Sequence, residues 1–247
     1  MTDHDSPSTT RSPAAVRNLA SETLAVFVNT EFASVAELMA LDDPALRPVQ
    51  RAIADRLYGV GRDGTVTSVL VQSCQRTLDG CTYRFQLKDG LKFHDGGEVT
   101  ADDVASALVG PAGAGPSPLA LLVAEDAGRD RTALAVEALS RNRLEIRLAR
   151  PVEDLFSLLA LSSLPWLGRE AGGSKPSYAG VYAPDPAWAG RGPLRLSIHG
   201  SHPRAAEGHF KHIDIYRLPA DGDWLGALTP LAPVLLLGTG RVSLPAD

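Results

Sequence analysis

The sequence has 247 residues, which is enough for one large domain or two small ones. Its apolar fraction of 44% and its charged fraction of 21% are those of an ordinary soluble globular protein. The formal net charge of −5 does not favour electrostatic binding to nucleic acid, so we expect no nucleic-acid partner.

The N-terminal residues are polar and rich in Ser, Thr and Pro, without the basic start and apolar run of a secretory signal. We expect residues 1–20 to form a disordered tail, because they can bury too little apolar surface to offset the entropy lost on ordering. The longest apolar run, Leu231 to Leu237, is interrupted by Pro233 and is too short to span a bilayer. It predicts a buried strand, and the chain as a whole is expected to be cytoplasmic, with no membrane partner.

The first predicted elements are a strand and a helix. Leu24 to Val28 is a short β-branched and aromatic run that indicates a buried strand. Asp43-Pro44 is typical of a helix start, with an acidic cap and proline in the first turn. Apolar residues then recur at helical spacing, and the pattern predicts that the helix ends at Tyr58-Gly59.

A predicted hairpin carries both cysteines of the chain. One strand is expected within Thr65–Gln75, and Cys81 to Leu87 alternates between apolar and polar residues as a strand does. Cys74 and Cys81 flank the turn, so the hairpin geometry allows a cross-strand disulfide. The other reading is that both are small buried hydrophobes, since cytoplasmic thiols stay reduced.

The rest of the chain alternates short strands and helices around loops. Thr100 and Asp103 form a capping pair for a helix over 102–108, and 110–118 is a flexible, Gly-rich interruption. Further strands are expected in 133–148, 194–198 and 213–218, a helix after Pro151, and a loop over 168–185. The predicted fold class is therefore α/β, a mixed sheet with flanking helices.

Several motifs together resemble one family. They are Asp43-Pro44, Tyr58-Gly59, Asp63-Gly64, Asp79-Gly80, Thr82-Tyr83, Phe93-His94-Asp95-Gly96, Ala101-Asp102-Asp103-Val104 and Gly190-Arg191-Gly192-Pro193-Leu194. This order is similar to lobe I of the family 5 extracellular solute-binding proteins, the peptide, oligopeptide and nickel receptors of ABC importers. The resemblance implies lobe I of a periplasmic-binding-protein-like type II fold, with 21–247 as a single lobe. The chain departs from the family pattern at Cys74, where the family has Trp, and at Arg191 and Leu194, where it has Thr and Tyr.

The length of the chain leads to expectations about function. Full receptors of this family are about twice as long, so we expect a truncated, single-lobe module that does not take part in transport. It would bind a peptide or a small amphipathic metabolite, with a homodimer or a protein partner replacing the absent lobe. An enzyme of specialised-metabolite biosynthesis built on the same scaffold is the alternative. A ligand-sensing regulatory domain and an inactive gene product also remain open.

The candidate ligand-binding residues are Thr30, Glu31, Phe32 and Arg191. The first three follow the first predicted strand, and ligands of open α/β sheets sit beyond the carboxyl ends of strands. The resemblance implies that this segment faces the binding cleft, where Glu31 can meet an amine and Phe32 an apolar side chain. Arg191 belongs to the Gly-rich motif. An ordinary strand-exit loop is the competing reading.

A histidine group is the weak candidate for a metal site. It comprises His199, His202, His209 and His212. Imidazoles bind zinc, copper or nickel, and four ligands suit a structural zinc site, but histidines in an exposed connection are often merely solvated. We therefore expect no metal and no cofactor. No G-x-S-x-G, Walker A or G-x-G-x-x-G motif is present, so no catalytic residue is assigned.

Overall fold

The computed structural model describes residues 22–61, 63–109, 136–148, 151–160, 167–169, 176–208, 210–217 and 234–237. The strands in these ranges are β1 Thr23–Val28, β2 Tyr58–Val60, β3 Val66–Ser68, β4 Val71–Arg76, β5 Thr82–Leu87, β6 Val136–Ser140, β7 Arg143–Arg147, β8 Gly168–Arg169, β9 Ser177–Tyr178, β10 Tyr182–Pro184, β11 Leu194–Ile198, β12 His212–Arg217 and β13 Val234–Leu237. The α-helices are α1 Val35–Ala40, α2 Arg47–Ile53, α3 Ala101–Val109 and α4 Leu155–Ala160. None of these helices has the length and apolar character needed to span a bilayer.

One region is built on a five-stranded mixed sheet with the order β10-β11-β12-β1-β13. The central strand β1 runs parallel to both β12 and β13, while β11 is antiparallel to its neighbours. Its core contains Val26 and Val28 of β1, Leu194 and Leu196 of β11, and apolar residues of α1 and α2. We call β1, β10–β13, α1 and α2 the mixed-sheet region.

The other region is built on an antiparallel sheet with the order β4-β5-β7-β6. As the alternation predicts, Tyr83, Phe85 and Leu87 of β5 are buried together with Leu144 and Ile146 of β7. These side chains share a core with apolar residues of α3 and α4. We call β2–β7, α3 and α4 the hairpin region. The predicted α/β class, a mixed sheet with flanking helices, is confirmed.

Two predicted helix starts are confirmed by their hydrogen bonds. Asp43 accepts the Ala45 N–H at 2.9 Å and caps a 3-10 turn that leads into α2. Thr100 Oγ1 accepts the Asp103 N–H at 3.3 Å, while Asp103 Oδ2 accepts the Thr100 N–H at 2.8 Å. The second arrangement is a reciprocal capping box, with Asp in place of the usual Glu.

Three predicted boundaries are wrong. Helix α2 ends at Ile53, because the Asp55 N–H donates to Ala179 O and Tyr58 enters β2 instead. The single strand over 65–75 is split into β3 and β4, since the Val69 and Leu70 N–H groups both donate to Leu57 O. The predicted loop over 168–185 contains β8, β9 and β10 in its described part. In each case a contact distant in sequence overrides the local pattern.

The cross-strand disulfide is also out of reach. Cys74 pairs in register with Phe85, and both cysteines are free thiols. Cys81 lies four residues from Phe85 along the same chain, which is about 13 Å of strand. A disulfide requires Cα atoms closer than about 7 Å. Burial raises the pKa of Cys74 to about 11, so this half-buried thiol is the small hydrophobe that the alternative reading describes.

The predicted disordered tail over 1–20, the Gly-rich interruption over 110–118 and the first three residues of the run from Leu231 to Leu237 lie outside the described residues. The end of that run forms β13, which pairs with β1 as a strand. The single-lobe boundary over 21–247 stays a prediction.

Candidate ligand-binding site

Thr30, Glu31 and Phe32 leave the central strand of the mixed sheet at its carboxyl end. Thr30 Oγ1 donates to Asp43 Oδ2 at 2.9 Å, which ties the segment to the start of the 3-10 turn. Phe32 is buried at 2% exposure, whereas the Glu31 side chain is 76% exposed. Thr30 and Phe32 are therefore held in place, while the carboxylate of Glu31 between them faces solvent.

The segment ends where α1 begins. Ser34 is the N-cap of this helix, and its Oγ accepts the Glu37 N–H at 3.1 Å. The Glu37 carboxylate in turn accepts the Ala33 N–H at 2.7 Å. This Ser-x-x-Glu capping box fixes the direction in which the chain leaves the site. The sequence pattern does not predict this helix over Val35–Ala40.

Arg217, the last residue of β12, joins the segment to the Gly-rich turn. Its Nη1 donates to Phe32 O at 3.1 Å, and its Nη2 donates to Gly190 O at 2.8 Å. The same Nη1 lies 3.4 Å from Glu31 Oε2. Because β12 is the parallel neighbour of β1, the two strands deliver Arg217 and Glu31 to the same edge of the sheet.

The turn that carries Arg191 requires glycine on both sides. Gly190 and Gly192 have φ values of 78° and 67°, in the left-handed region that glycine adopts most readily. A Cβ at Gly190 would also lie 2.7 Å from Ala33 O, so the turn packs directly against the strand exit. Arg191 is exposed between the two glycines. The four predicted ligand-binding residues thus lie on two adjoining segments.

Two aromatic rings contact each other at the site. Phe32 and Trp188 lie with their ring centroids 5.7 Å apart at a tilt of 46°. The guanidinium carbon of Arg217 is 5.9 Å from the centre of the Phe32 ring. Trp188 is half-buried, so part of its surface is exposed beside Phe32, the residue that follows Glu31.

The main chain at this exit is unpaired within the described part of the chain. The N–H and C=O groups of Thr30 and Glu31 have no hydrogen-bond partner among the described residues. Main-chain groups of this kind, beyond the end of a strand, can donate to and accept from the amide groups of a peptide. We call Thr30, Glu31, Phe32, Trp188, Arg191 and Arg217 the strand-exit site.

Sequence reasoning missed Arg217 and Trp188. Arg217 was placed within a strand, but its role depends on that strand being the parallel neighbour of β1, nearly the whole chain away. Trp188 lies between the predicted loop over 168–185 and the Gly-rich motif, where the sequence predicts no element. An arginine that ends a strand just before the edge where the ligand segment was expected is the signal that could have found the first.

The histidine candidates are separated by the structure. His199 packs edge-on against His94, with ring centroids 5.1 Å apart, while His212 Nδ1 lies 3.0 Å from Ser197 Oγ. His202 is buried against Asp55, and His209 lies outside the described residues. In the part of the chain that the structure describes, no group of three or more His, Cys, Asp or Glu side chains could hold a metal ion.

Asp55, His202 and Arg204 instead form a buried joint between the two regions. His202 Nε2 lies 2.7 Å from Asp55 Oδ2, and Arg204 Nη2 donates to Asp55 Oδ1 at 2.9 Å. His202 Nδ1 accepts the Arg204 main-chain N–H at 3.1 Å, so the proton of a neutral ring lies on Nε2. The contact between Nε2 and Asp55 Oδ2 is close but does not have the angles of a hydrogen bond. Asp55 and His202 are 5% and 6% exposed, which makes the joint inaccessible to a substrate.

His94 belongs to the same boundary. Its Nε2 lies 3.1 Å from Gly180 O, and burial lowers the pKa of His94 to about 4. A Cβ at Gly180 would lie 2.3 Å from the main-chain carbonyl of Ile53, so this approach of the two regions requires glycine.

A small cavity lies on the hairpin side of the joint. It has space of about 20 Å³ for a water-sized molecule and is lined by Asp55, Arg56, Leu57, Leu70, Val104, Ala107, Leu108, Leu159 and Leu167. That volume suits about one water. It is far too small for a peptide, and it adjoins the joint, not the strand-exit site.

The sequence profile of bacterial extracellular solute-binding proteins, family 5 middle, matches residues 65–193. The match spans just over half of the 247 residues and includes the whole described part of the hairpin region after β2. Among curated protein sequences none matches this chain.

Solved structures of similar fold include receptors for different solutes. OppA of Listeria monocytogenes bound to peptide has a TM-score of 0.65 at 17% identity, over 80% of this chain and 43% of that one. The murein tripeptide binding protein MppA of Escherichia coli has a TM-score of 0.65 at 19% identity, over 80% and 42%. NikA of Staphylococcus aureus in complex with Ni(L-His)2 has a TM-score of 0.58 at 20% identity, over 80% and 39%.

These identities establish a shared fold, and the chain spans less than half the length of each of these proteins. The profile match agrees with the motifs of the sequence and with the shared fold. The chain therefore belongs to the bacterial extracellular solute-binding proteins of family 5.

Proposed function

We propose that this chain is a binding module for a peptide or a small amphipathic metabolite, and that the ligand lies across the strand-exit site. The observation that carries the proposal is the main chain of Thr30 and Glu31, unpaired among the described residues, beside Arg217, which holds Phe32 O and Gly190 O. Arg217 fixes two segments into one wall, so the wall is formed before a ligand arrives. Preorganised walls avoid the entropy cost of ordering on binding.

The similar proteins support the choice of ligand class. OppA is described bound to peptide, and MppA is described as a murein tripeptide binding protein. In our proposal the same class binds here, with main-chain hydrogen bonds providing affinity and the rings of Phe32 and Trp188 providing apolar contact.

Native mass spectrometry with a mixture of short peptides tests the proposal directly. We expect a complex with wild-type protein and its loss in Arg217→Met, because methionine keeps the volume but releases Phe32 O and Gly190 O. Arg143→Met is the matched control, since Arg143 is exposed on β7 in the hairpin region. Equal peptide binding by wild type and Arg217→Met would exclude the strand-exit site.

The assembly and location remain part of the proposal. Glu31 and Arg191 are exposed, so a second wall from a homodimer or a protein partner would close the site, without a role in transport. Sedimentation of the protein with and without peptide tests for such an assembly, and cell fractionation tests the expected cytoplasmic location. An enzyme on this scaffold is not favoured, because the Asp55–His202 pair is buried.

A further inference from the structure

One carboxylate at the strand-exit site is not needed by the fold. Asp43 accepts hydrogen bonds from the Thr30 hydroxyl and the Ala45 N–H, and Glu37 accepts the Ala33 N–H. Glu31 has a single partner among the described residues, Arg217 Nη1 at 3.4 Å. Its side chain is 76% exposed. An ion pair this long and this exposed contributes little to stability.

Arg217 does not depend on Glu31 in return. Its two main-chain acceptors, at 2.8 Å and 3.1 Å, are shorter contacts than the carboxylate. Its side chain is 25% exposed, so the guanidinium is held largely inside the wall. Glu31 can therefore turn away from Arg217 at small cost, while Arg217 stays in place.

An aromatic pair follows Glu31 along the chain. Phe32 is the next residue, and its covered ring contacts the half-buried Trp188. An aromatic face attracts ammonium and guanidinium groups and also packs against the alkyl stem that carries them. A carboxylate with a single weak partner, one residue before such a ring pair, fits a cation on a hydrocarbon chain.

We propose that the strand-exit site selects an extended ligand that carries an ammonium or guanidinium group, and that the Glu31 carboxylate turns from Arg217 to pair with it. This inference rests on the proposed function, since it assigns a charge preference to the same site. The ligand class is a peptide with a lysine or arginine side chain.

Isothermal titration calorimetry with three peptides tests the preference. Tri-lysine, tri-alanine and tri-glutamate with identical termini differ only in side-chain charge and size. We expect tri-lysine to bind about tenfold more tightly than tri-alanine at low salt, with a smaller difference at higher ionic strength. In Glu31→Gln the ratio of the tri-lysine to the tri-alanine affinity should fall to about one. In Glu153→Gln, an exposed carboxylate at the start of α4, the ratio should be unchanged.

The outcomes separate the two proposals. Equal binding of tri-lysine and tri-alanine to wild type would overturn the charge preference and leave the peptide site standing. A preference that persists in Glu31→Gln would overturn the role of Glu31. Tightest binding of tri-glutamate would overturn the cation class and favour Arg191 and Arg217 as an anion site. Binding of none of the three would overturn both the preference and the proposed function.

Discussion

The hairpin region and the mixed-sheet region are assembled from the chain in different ways. In the hairpin region, β4 pairs with β5 and β6 pairs with β7, so strands that are adjacent in sequence are adjacent in the sheet. In the mixed-sheet region, Val26 of β1 lies opposite Ile215 of β12, at the other end of the chain. In this chain the two hairpins of the scaffold form between strands close in sequence, whereas the candidate site depends on the pairing of β1 with the distant strand β12.

The charged residues of the hairpin region and of the mixed-sheet region also differ in how they are paired. In the antiparallel sheet, the buried carboxylate of Glu145 is bound by Arg84 at 2.7 Å and by Arg147 at 2.7 Å. These charges are satisfied by one another and leave no group for a ligand. At the strand exit of the mixed sheet, Glu31 is held by one contact at 3.4 Å. The parallel strands thus end in groups that can exchange partners.

The joint between the regions carries the largest expected effect. Asp55→Ala removes the carboxylate that lies 2.7 Å from His202 Nε2 and leaves the Arg204 guanidinium without its buried acceptor. Removing one partner of a buried charged network costs about 3–5 kcal/mol, and we expect a loss of that size in the free energy of unfolding. Urea denaturation followed by circular dichroism measures it. Asp102→Ala, at the exposed start of α3, should change stability by only about 0.5 kcal/mol. A loss below about 1 kcal/mol in Asp55→Ala would mean that the regions are held together elsewhere.

Acid is expected to act on the same boundary through His94. Burial lowers the pKa of His94 from 6.5 to about 4, so the unfolded chain binds a proton between these values while the folded protein does not. The stability that depends on neutral His94 is complete above pH 6.5 and is lost as the pH falls to about 4. The shift corresponds to about 3 kcal/mol.

Comparing wild type with His94→Gln measures this contribution, because carboxylates also titrate in this range. Glutamine can still donate to Gly180 O without titrating. We expect the difference in unfolding free energy between the two proteins to change by about 3 kcal/mol from pH 7 to pH 4. Parallel pH curves for the two proteins would show that His94 is not the group that responds.

The same contrast explains what the sequence could predict. The alternation of Tyr83, Phe85 and Leu87 and the cap at Thr100 depend on neighbours in the chain, and both are confirmed. The end of α2 at Ile53 depends on Ala179, and the split of the 65–75 strand depends on contacts to Leu57. Local patterns cannot contain such contacts, so those boundaries were wrong.

The site was predictable in part for the same reason. Thr30, Glu31 and Phe32 follow from one general rule about the carboxyl ends of strands, and the structure places them beside Arg191. Arg217 could not be identified, because that step needs the order of strands in the sheet. Whether these residues bind a ligand stays a prediction. The register of Cys74 opposite Phe85 shows the converse, since a plausible local pairing is excluded by the actual strand alignment.

A moderate effect is expected from the charged network of the hairpin region. The hydrogen bond from Arg84 and the nearby Arg147 hold the pKa of Glu145 below its usual value. Glu145→Gln removes the charge that both guanidiniums share, and we expect a loss of about 1–2 kcal/mol in unfolding free energy at pH 7. Peptide binding should be unaffected, since Glu145 lies in the hairpin region. A stability change within about 0.5 kcal/mol would show that the network is fully solvated.

The smallest effects come from the two capping boxes, which offer one matched test in each region. Ser34→Ala and Thr100→Ala each remove a side-chain acceptor from a helix start, and each should cost about 1 kcal/mol. Native-state hydrogen exchange shows which amide groups lose protection. Because the joint at Asp55 couples the regions, we expect each substitution to lower protection in both sheets. If Thr100→Ala lowers protection only in β4–β7, the hairpin region opens by itself, and the strand-exit site remains intact while the scaffold unfolds.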